Sequence, residues 1–595
     1  MSIEPVSEVD QDTNARLVEP ENEILRHQHK NVQYGKPYFA VLLAAFSSLG
    51  GWFFGYDQGV TGGIVVMSSF KNDFCVGLYA NASVCDLPVG ALPSDYRRFL
   101  VLYTLLYNVG CFVGAAFISS FVAEKFGRRA IIFTASILFF IGTSMVIFSP
   151  GGSKKIMILI LIGRIVEGTG VGCSSFACPL YASEIAPTNL RGMLSAFMQM
   201  TVVTGLFLAN VVNFLLQNHK WGWRLSNGII LIAPVTIMIG IFFCPETPRW
   251  LFKKESRVSA ERSLKRIRKT TDVRAELDAI ADAIQEEGDQ VSIKELLATK
   301  KMLRRLGIAI GMHVLNQGTG INPIFTYGGI IYESVLGKGI VSLLILSGVN
   351  LLSTIPALFL IDRLGRRKLL IFFGLGMVVG HLVAATVFAT GCNVIKTIIT
   401  NTTTSEEIVN CKTTSGILML VFTVIFVAFY ALSWGAVVFV YVAEIFPLNV
   451  RAKAISIATG SNWLMGTLMS YITIGSIGNV LNIKTFLGTK KYRILPSSTF
   501  LAGISLGEQL AIISLILPQS FASKTGHNFR SISCAFYKLS SVLYTGGGVL
   551  ALLCLYLAPL DRYLQTYRSA IMRQWMTLNR TRLLFFITAL LSILL

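Results

Sequence analysis

The chain has 595 residues, of which 53% are hydrophobic and only 14% charged. A soluble globular protein of this size could not cover so much apolar surface, so the composition indicates a protein embedded in a lipid bilayer. The formal net charge of +20 is spread over short loops rather than gathered in a basic domain, which argues against nucleic acid as a partner.

Apolar runs recur along almost the whole chain. Residues 1–36 form a polar tail without a cleavable signal peptide, so the first apolar run is expected to act as the internal signal. A helix needs about 20 apolar residues to span a bilayer. Such runs lie near 38–56, 99–122, 130–149, 156–182, 194–216, 226–244, 305–333, 340–361, 368–391, 415–442 and 454–480, with further runs near 499–518, 540–560 and 583–595. This pattern predicts an all-α polytopic membrane protein.

Two charged patterns each occur twice, at matching places between apolar runs. In one, a Glu-Ile-x-Pro sequence ends at an arginine, over residues 183–191 and 443–451. In the other, an acidic residue precedes a Gly-Arg-Arg turn, over residues 124–129 and 362–367. Repeats of this kind predict two homologous helix bundles around a central substrate site.

Lysine and arginine in short loops indicate which side of the membrane each loop occupies. They fall in alternate loops, which the positive-inside rule places in the cytoplasm together with the charged amphipathic segment 249–304. We therefore expect a cytoplasmic tail at 1–36, a six-helix bundle at 37–245, linker helices at 246–303, a second bundle at 304–560 and a basic and apolar tail at 561–595.

The loops expected outside contain sequons and cysteines. Asn81 and Asn401 each begin a glycosylation sequon. Two cysteines flank each sequon and form a disulfide or remain free thiols; the pairs are Cys75 with Cys85 and Cys392 with Cys411.

Several ordered motifs between residues 38 and 470 resemble the sugar porter family of the major facilitator superfamily. They are Gly-Tyr-Asp-Gln-Gly-Val-Thr-Gly-Gly at 55–63, the paired Gly-Arg-Arg turns, Gly-Arg at 163–164, Pro-Glu-Thr-Pro-Arg-Trp at 245–250 and Gln-Gly-Thr-Gly-Ile-Asn at 317–322. The sequence at 441–453 is most similar to that of fungal monosaccharide transporters. From about residue 470 the chain departs from the family pattern, and the Pro-Glu-Thr-Lys-Gly motif expected after the twelfth helix is missing.

Amide side chains within the apolar runs are candidates for contacts with sugar. A hexose is a ring of hydroxyls with an apolar face, so its site needs groups that both donate and accept, together with an aromatic plate. A single intramembrane amide can equally well be an interhelical hydrogen bond. The candidates are Gln199, Gln317, Asn322, Asn350, Asn462 and the neighbouring Trp463. The resemblance implies that the first four contact sugar.

Asp57 and Arg164 are charged residues inside apolar runs. Neither could remain ionised in hydrocarbon without a partner or water, so we expect them to pair. The resemblance implies that Asp57 accepts a proton and that Arg164 is its counter-ion. The alternative is a static ion pair that merely holds helices together.

The repeated glutamates and arginines are expected to gate the cavity. Glu184 and Glu444 end helices at the cytoplasmic face, where they could bridge the two halves while the cavity opens outward. The arginines expected at the same level are Arg129, Arg191, Arg367 and Arg451.

Together these patterns predict a multi-pass protein of the cell membrane that moves a monosaccharide by alternating access, with protons as the coupling ion. The alternatives are a facilitative hexose uniporter and a non-transporting sugar sensor. No phosphate-binding loop, metal-ligand cluster or nucleophile arrangement is evident, so we expect no catalysis, cofactor or metal.

Overall fold

The computed structural model describes residues 38–85, 92–152, 154–187, 190–287, 299–398, 405–447 and 450–488. Nine helical spans within those ranges are long and apolar enough to cross a membrane. They match the predicted runs except those near 305–333 and 454–480, which are also helical but are not among these nine spans. The prediction of a helical multi-pass membrane protein is therefore confirmed.

The first bundle comprises helices α1 to α6. Short helical segments follow α1, at Ser68–Lys71, Asn72–Val76, Gly77–Tyr79 and Ala82–Cys85. The long helices are α1 (Tyr38–Ile64), α2 (Ser94–Val113, continuing through a π-helical turn at Gly114–Ile118 into Ser119–Phe126), α3 (Arg128–Ile147), α4 (Lys154–Ile185), α5 (Arg191–Leu216) and α6 (Gly222–Ile229 and Ile232–Gly240, ending in a 3₁₀ turn at Ile241–Phe243). Three short helices, α7 (Pro248–Lys254), α8 (Arg257–Arg268) and α9 (Arg274–Glu287), form the linker.

The second bundle repeats this arrangement. Its helices are α10 (Lys300–Gly318), α11 (Ile321–Leu336), α12 (Gly339–Leu364), α13 (Arg366–Gly391), α14 (Thr413–Leu432), α15 (Trp434–Ile445) and α16 (Arg451–Gly488). The predicted run near 305–333 is broken between α10 and α11, where Gly320 adopts φ +79°. The twelfth helix and the tail at 561–595 lie outside the described residues, and the domain boundaries remain a prediction.

The Gly-Arg-Arg turns have the same geometry in both halves. Gly127 has φ +98° and Gly365 has φ +79°, a region that side chains with a Cβ rarely adopt. Each glycine ends one helix and begins the next, so the following arginines start α3 and α13.

A two-stranded hairpin is the one departure from the all-α prediction among the described residues. Strands β1 (Cys392–Ile398) and β2 (Ser405–Cys411) pair antiparallel, with Cys392 opposite Cys411. Both segments contain β-branched residues, which favour a strand. Disulfides join Cys392 to Cys411 and Cys75 to Cys85, which excludes the alternative of free thiols. The sequon residue Asn401 lies outside the described residues.

The two bundles contact each other at both ends of the molecule. We call the end that bears α7 to α9 the linker face and the opposite end, with both disulfides, the disulfide face. On the disulfide face, a Cβ built on Gly62 of α1 would lie 2.1 Å from the Phe325 carbonyl oxygen of α11. On the linker face, Ser456 Oγ of α16 donates to the Ala115 carbonyl of α2 at 2.7 Å. The described helices of the two halves are therefore in contact at both ends.

Candidate functional site

A narrow cavity lies between the bundles, and we call it the polar cavity. Helices of both halves supply its wall: Phe54, Asp57, Gln58, Thr61, Thr104, Tyr107, Asn108, Arg164, Asn322, Thr326 and Ser470. Two hydrogen bonds cross between the halves beside it. Thr104 and Tyr327 hydroxyls lie 2.6 Å apart, and Asn108 Nδ2 donates to Ser470 Oγ at 3.0 Å.

Arg164 and Asp57 form the expected ion pair. Arg164 Nη1 and Nη2 donate to the two Asp57 carboxylate oxygens at 2.6 and 3.2 Å. The guanidinium also lies between the rings of Tyr103 and Tyr107, 4.4 Å from each centroid. Charge-assisted bidentate bonds of this kind are strong and hold the planar group in a fixed orientation.

Glu167 is a second buried carboxylate at this site, one that the sequence analysis did not single out. Its Oε2 accepts from Arg164 Nη1 at 2.8 Å, and its Oε1 accepts from the Thr143 hydroxyl at 2.7 Å. A charged residue three positions after Arg164 in an apolar run was the available signal, because ionisable residues inside a membrane helix are rarely without function.

Three of the predicted amides form a hydrogen-bonded chain with Gln58 across four helices. Gln58 Nε2 donates to Asn322 Oδ1 at 3.0 Å, and Asn322 Nδ2 donates to Gln317 Oε1 at 2.9 Å. Gln317 Nε2 in turn donates to Asn462 Oδ1 at 3.2 Å. The chain joins α1 of the first half to α11, α10 and α16 of the second. Gln58, next to Asp57, was not predicted as a site residue.

A second cavity is lined by the predicted residues Gln199, Asn462 and Trp463, and we call it the tryptophan cavity. Its wall consists of Phe54, Ser175, Met198, Gln199, Val202, Phe439, Asn462 and Trp463. Trp463 Nε1 donates to Ser175 Oγ at 3.0 Å, so the indole is anchored to the opposite half. Phe54 lies in the wall of both cavities and packs edge-on against Trp463, with ring centroids 4.9 Å apart.

Of the two predicted amides that line neither cavity, Gln317 belongs to the amide chain and Asn350 does not. The Asn350 side chain is buried in α12, and its Oδ1 has no hydrogen-bond partner among the described residues. A buried acceptor without a partner is costly.

The charged pairs at the linker face differ from the expected bridges between halves. Glu184 pairs with Arg128 at 2.8 and 3.0 Å, not with Arg129, and both residues belong to the first bundle. In the second bundle Glu444 pairs with Arg366 at 3.0 Å, not with Arg367. Neighbouring residues at a helix start project in different directions, so the double arginine did not indicate which residue faces the glutamate.

Two of the remaining predicted gating arginines, Arg129 and Arg451, make contacts inside their own half. Arg129 Nε donates to the Ile241 carbonyl at 3.2 Å, and its backbone N–H donates to Glu246 at 3.0 Å. Burial raises the pKa of the Glu246 carboxyl. Arg451 donates to the Phe446 carbonyl at 2.9 and 3.1 Å. The side chain of Arg191 lies outside the described residues, and Arg367 is exposed.

One ion pair does join the halves at the linker face. Lys453 Nζ of α16 lies 3.7 Å from Glu124 Oε2 of α2, and both side chains are about four-fifths buried. Glu124 is the acidic residue of the first Gly-Arg-Arg pattern. The first copy of the pattern therefore contacts the second half through its acidic residue.

Two bundles of membrane-spanning helices around a polar cavity define a membrane transporter of the major facilitator fold. The model of the family described as "Sugar (and other) transporter" matches residues 43–497. The chain belongs to this family of multi-pass membrane transporters, which confirms the resemblance.

Similar proteins come from plants and fungi. Sugar transport protein MST5 of Oryza sativa subsp. japonica is 31% identical over 432 residues, 72% of this chain and 80% of the relative. Probable glucose transporter rco-3 of Neurospora crassa is 31% identical over 452 residues, 73% of this chain and 70% of the relative. A solved structure of the proton:xylose symporter XylE bound to 6-bromo-6-deoxy-D-glucose matches with a TM-score of 0.62 and 25% identity, over 76% of this chain and 92% of that one.

Proposed function

We propose that this chain carries a hexose across the plasma membrane by alternating access and couples that movement to protons. The observation that carries the proposal is the polar cavity, where a buried ion pair and amides from both halves meet. Relatives named as sugar, glucose and hexose transporters and a structural neighbour named as a proton:xylose symporter support it.

The amide chain supplies what a sugar site requires. Each amide both donates and accepts, so a sugar hydroxyl can replace a neighbouring amide without leaving a polar group unpaired. Gln58 and Asn322 belong to opposite halves and bond directly to each other. Sugar that bonds to both would draw the halves together. Phe54 and Trp463 provide flat apolar surfaces for the face of the ring.

Asp57 is the proposed proton carrier. It lies in the wall of the polar cavity, so a proton can reach it from the same space that the sugar occupies. Protonation would remove its charge and weaken its two bonds to Arg164. Since Asp57 belongs to α1, which contacts the second half through Gln58, this change can alter how the halves meet.

Opening toward each face would break a different set of contacts. The proposed gate at the linker face comprises the Lys453–Glu124 pair, with Arg128–Glu184 and Arg366–Glu444 holding helix ends within each half. Arg129, Arg191, Arg367 and Arg451 would act by keeping these helix ends in place. The gate at the disulfide face comprises α1 and α11 at Gly62 and Phe325.

The test is Asp57→Asn in proteoliposomes. Two measurements are compared on one preparation: glucose accumulation driven by an imposed pH gradient, and counterflow at equal glucose concentrations without a gradient. We expect accumulation to be lost and counterflow to survive, because the variant resembles the protonated state permanently. Asp282→Asn, on the exposed side of linker helix α9, is the matched control and should retain both activities.

Each outcome separates the alternatives. Accumulation that survives in Asp57→Asn would exclude Asp57 as the essential carrier. A wild type with counterflow but no pH-driven accumulation would indicate a facilitative uniporter. A wild type with neither activity, but with saturable glucose binding, would indicate a sensor.

A further inference from the structure

Two carboxylates share one guanidinium inside the first bundle. Asp57, Arg164 and Glu167 are exposed by only 2%, 1% and 1% of their surface. All five N–H groups of Arg164 have acceptors: two oxygens of Asp57, one of Glu167, the Thr61 hydroxyl and the Tyr103 carbonyl. The guanidinium is therefore held in place, and it cannot leave Asp57 without also leaving the other acceptors.

The cluster has no second positive charge among the described residues that surround it. From α2 it is faced by Tyr103, Tyr107 and Cys111, and from α3 by Thr143. The hydroxyls of Tyr103 and Tyr107 are buried without hydrogen-bond partners among the described residues. With both carboxylates ionised the cluster would carry one surplus negative charge in a low-dielectric environment, which is costly.

The two carboxylates occupy different sides of Arg164. Asp57 lies in the wall of the polar cavity, whereas Glu167 does not. Glu167 is held against α3, where a Cβ on Gly142 would lie 2.3 Å from the Glu167 backbone nitrogen. Its Thr143 hydrogen bond stabilises a carboxylate. Asp57 can thus exchange a proton with the cavity, while Glu167 stays behind the guanidinium.

We propose that Glu167 is a positioning residue that neutralises Arg164 permanently, so that Asp57 becomes the surplus carboxylate and can bind a proton. An isolated Asp57–Arg164 pair would be neutral and would keep Asp57 ionised, as in a static ion pair. With Glu167 present, a proton that moves from cavity water to Asp57 takes the cluster from one negative charge to none. Arg164 then retains Glu167 as its counter-ion. This proposal rests on the proposed proton-coupled function.

The test is the pH dependence of glucose uptake by Glu167→Gln in proteoliposomes. The amide can still accept from Arg164 but has no negative charge, so Asp57 should remain ionised to lower pH. We expect the pH of half-maximal uptake to fall by about one unit or more. Glu167→Asp keeps the charge and should retain the wild-type profile. Asp278→Asn, an exposed carboxylate on α9, is the control that should leave uptake unchanged.

A second variant keeps the test independent of how well Glu167→Gln folds. Thr143→Val removes the hydroxyl that stabilises the Glu167 carboxylate, so we expect a smaller shift in the same direction. A merely structural role would lower uptake at every pH without moving the midpoint. If wild-type uptake depends on pH but neither variant shifts the midpoint, the role proposed for Glu167 is wrong, whereas proton coupling is not contradicted. A wild type without pH dependence overturns this proposal together with proton coupling.

Discussion

Arg164 receives more buried polar contacts than its partner Asp57, and this imbalance determines how the pair can work. Its guanidinium is fixed by two tyrosine rings, a backbone carbonyl, a hydroxyl and two carboxylates. A side chain held by so many contacts is not free to swing between states. In the proposed cycle, the change between states is therefore expected at the carboxylates, where a proton would be added or removed.

Gln317 is the central link of the amide chain. Replacing it with leucine leaves the amides of Asn322 and Asn462 without this partner, which should weaken glucose binding by about 1–3 kcal/mol. Equilibrium binding to purified protein measures the effect. Gln217→Leu, at the end of α5 and outside both cavities, is the matched control. Glucose binding by Gln317→Leu equal to that of the wild type would remove Gln317 from the site.

Phe54 separates the polar cavity from the tryptophan cavity. Phe54→Ala would join the two spaces and remove an apolar plate, so glucose should bind more weakly although the space available increases. We expect a loss of roughly 1–3 kcal/mol, measured by competition between glucose and its deoxy analogues. Phe121→Ala, at an exposed position on α2, should have no effect. Equal losses in both variants would indicate general destabilisation.

Residue types were easier to predict than residue partners. The intramembrane amides and the Asp57–Arg164 pair could be predicted because polar groups are costly in hydrocarbon. Polar residues within an apolar run can be read directly from the sequence. Which arginine of each Gly-Arg-Arg turn meets the glutamate depends on the rotation of α3 and α13, and that is set by packing. Glu167 belongs to none of the repeated motifs, and only its charge inside an apolar run indicates a role.

The helices themselves followed closely from the apolar runs. Each described run from 38–56 to 454–480 is helical, since the backbone must satisfy its own hydrogen bonds in a bilayer. The break at Gly320 and the hairpin β1–β2 did not follow. The break depends on one glycine φ angle, and the hairpin lies in a loop where hydropathy gives no signal.

The Lys453–Glu124 pair connects α16 to α2, so its removal should bias the molecule toward opening at the linker face. A partly exposed pair is worth about 0.2–1 kcal/mol, which shifts an equilibrium at most about fivefold. We expect Glu124→Gln to increase labelling of a cysteine introduced at Ala458. Glu261→Gln removes an ion pair on linker helix α8 and should leave labelling unchanged. Labelling equal to the wild type in Glu124→Gln would make the pair irrelevant to gating.

At the scale of the whole molecule, different chemistry joins the two halves at the two faces. The halves meet on the disulfide face through backbone contact at Gly62, and the neutral Thr104–Tyr327 hydrogen bond also joins them. The linker face adds an ion pair to its backbone contacts. The repeats predicted two related halves, but they did not predict these contacts at both ends, because such contacts depend on how the halves dock.

Neither disulfide is a tether between the moving parts. One bond closes a loop of the first half and the other closes a loop of the second, so the covalent connectivity leaves the halves free to rock. A reductant should therefore lower the melting temperature, since a disulfide typically contributes about 2–4 kcal/mol, while turnover per folded molecule stays constant. Melting and counterflow, measured with and without reductant, check this, and slower turnover would mean that the loops take part in opening. The two disulfides can thus stabilise the loops of the disulfide face without restricting the movement of one half against the other.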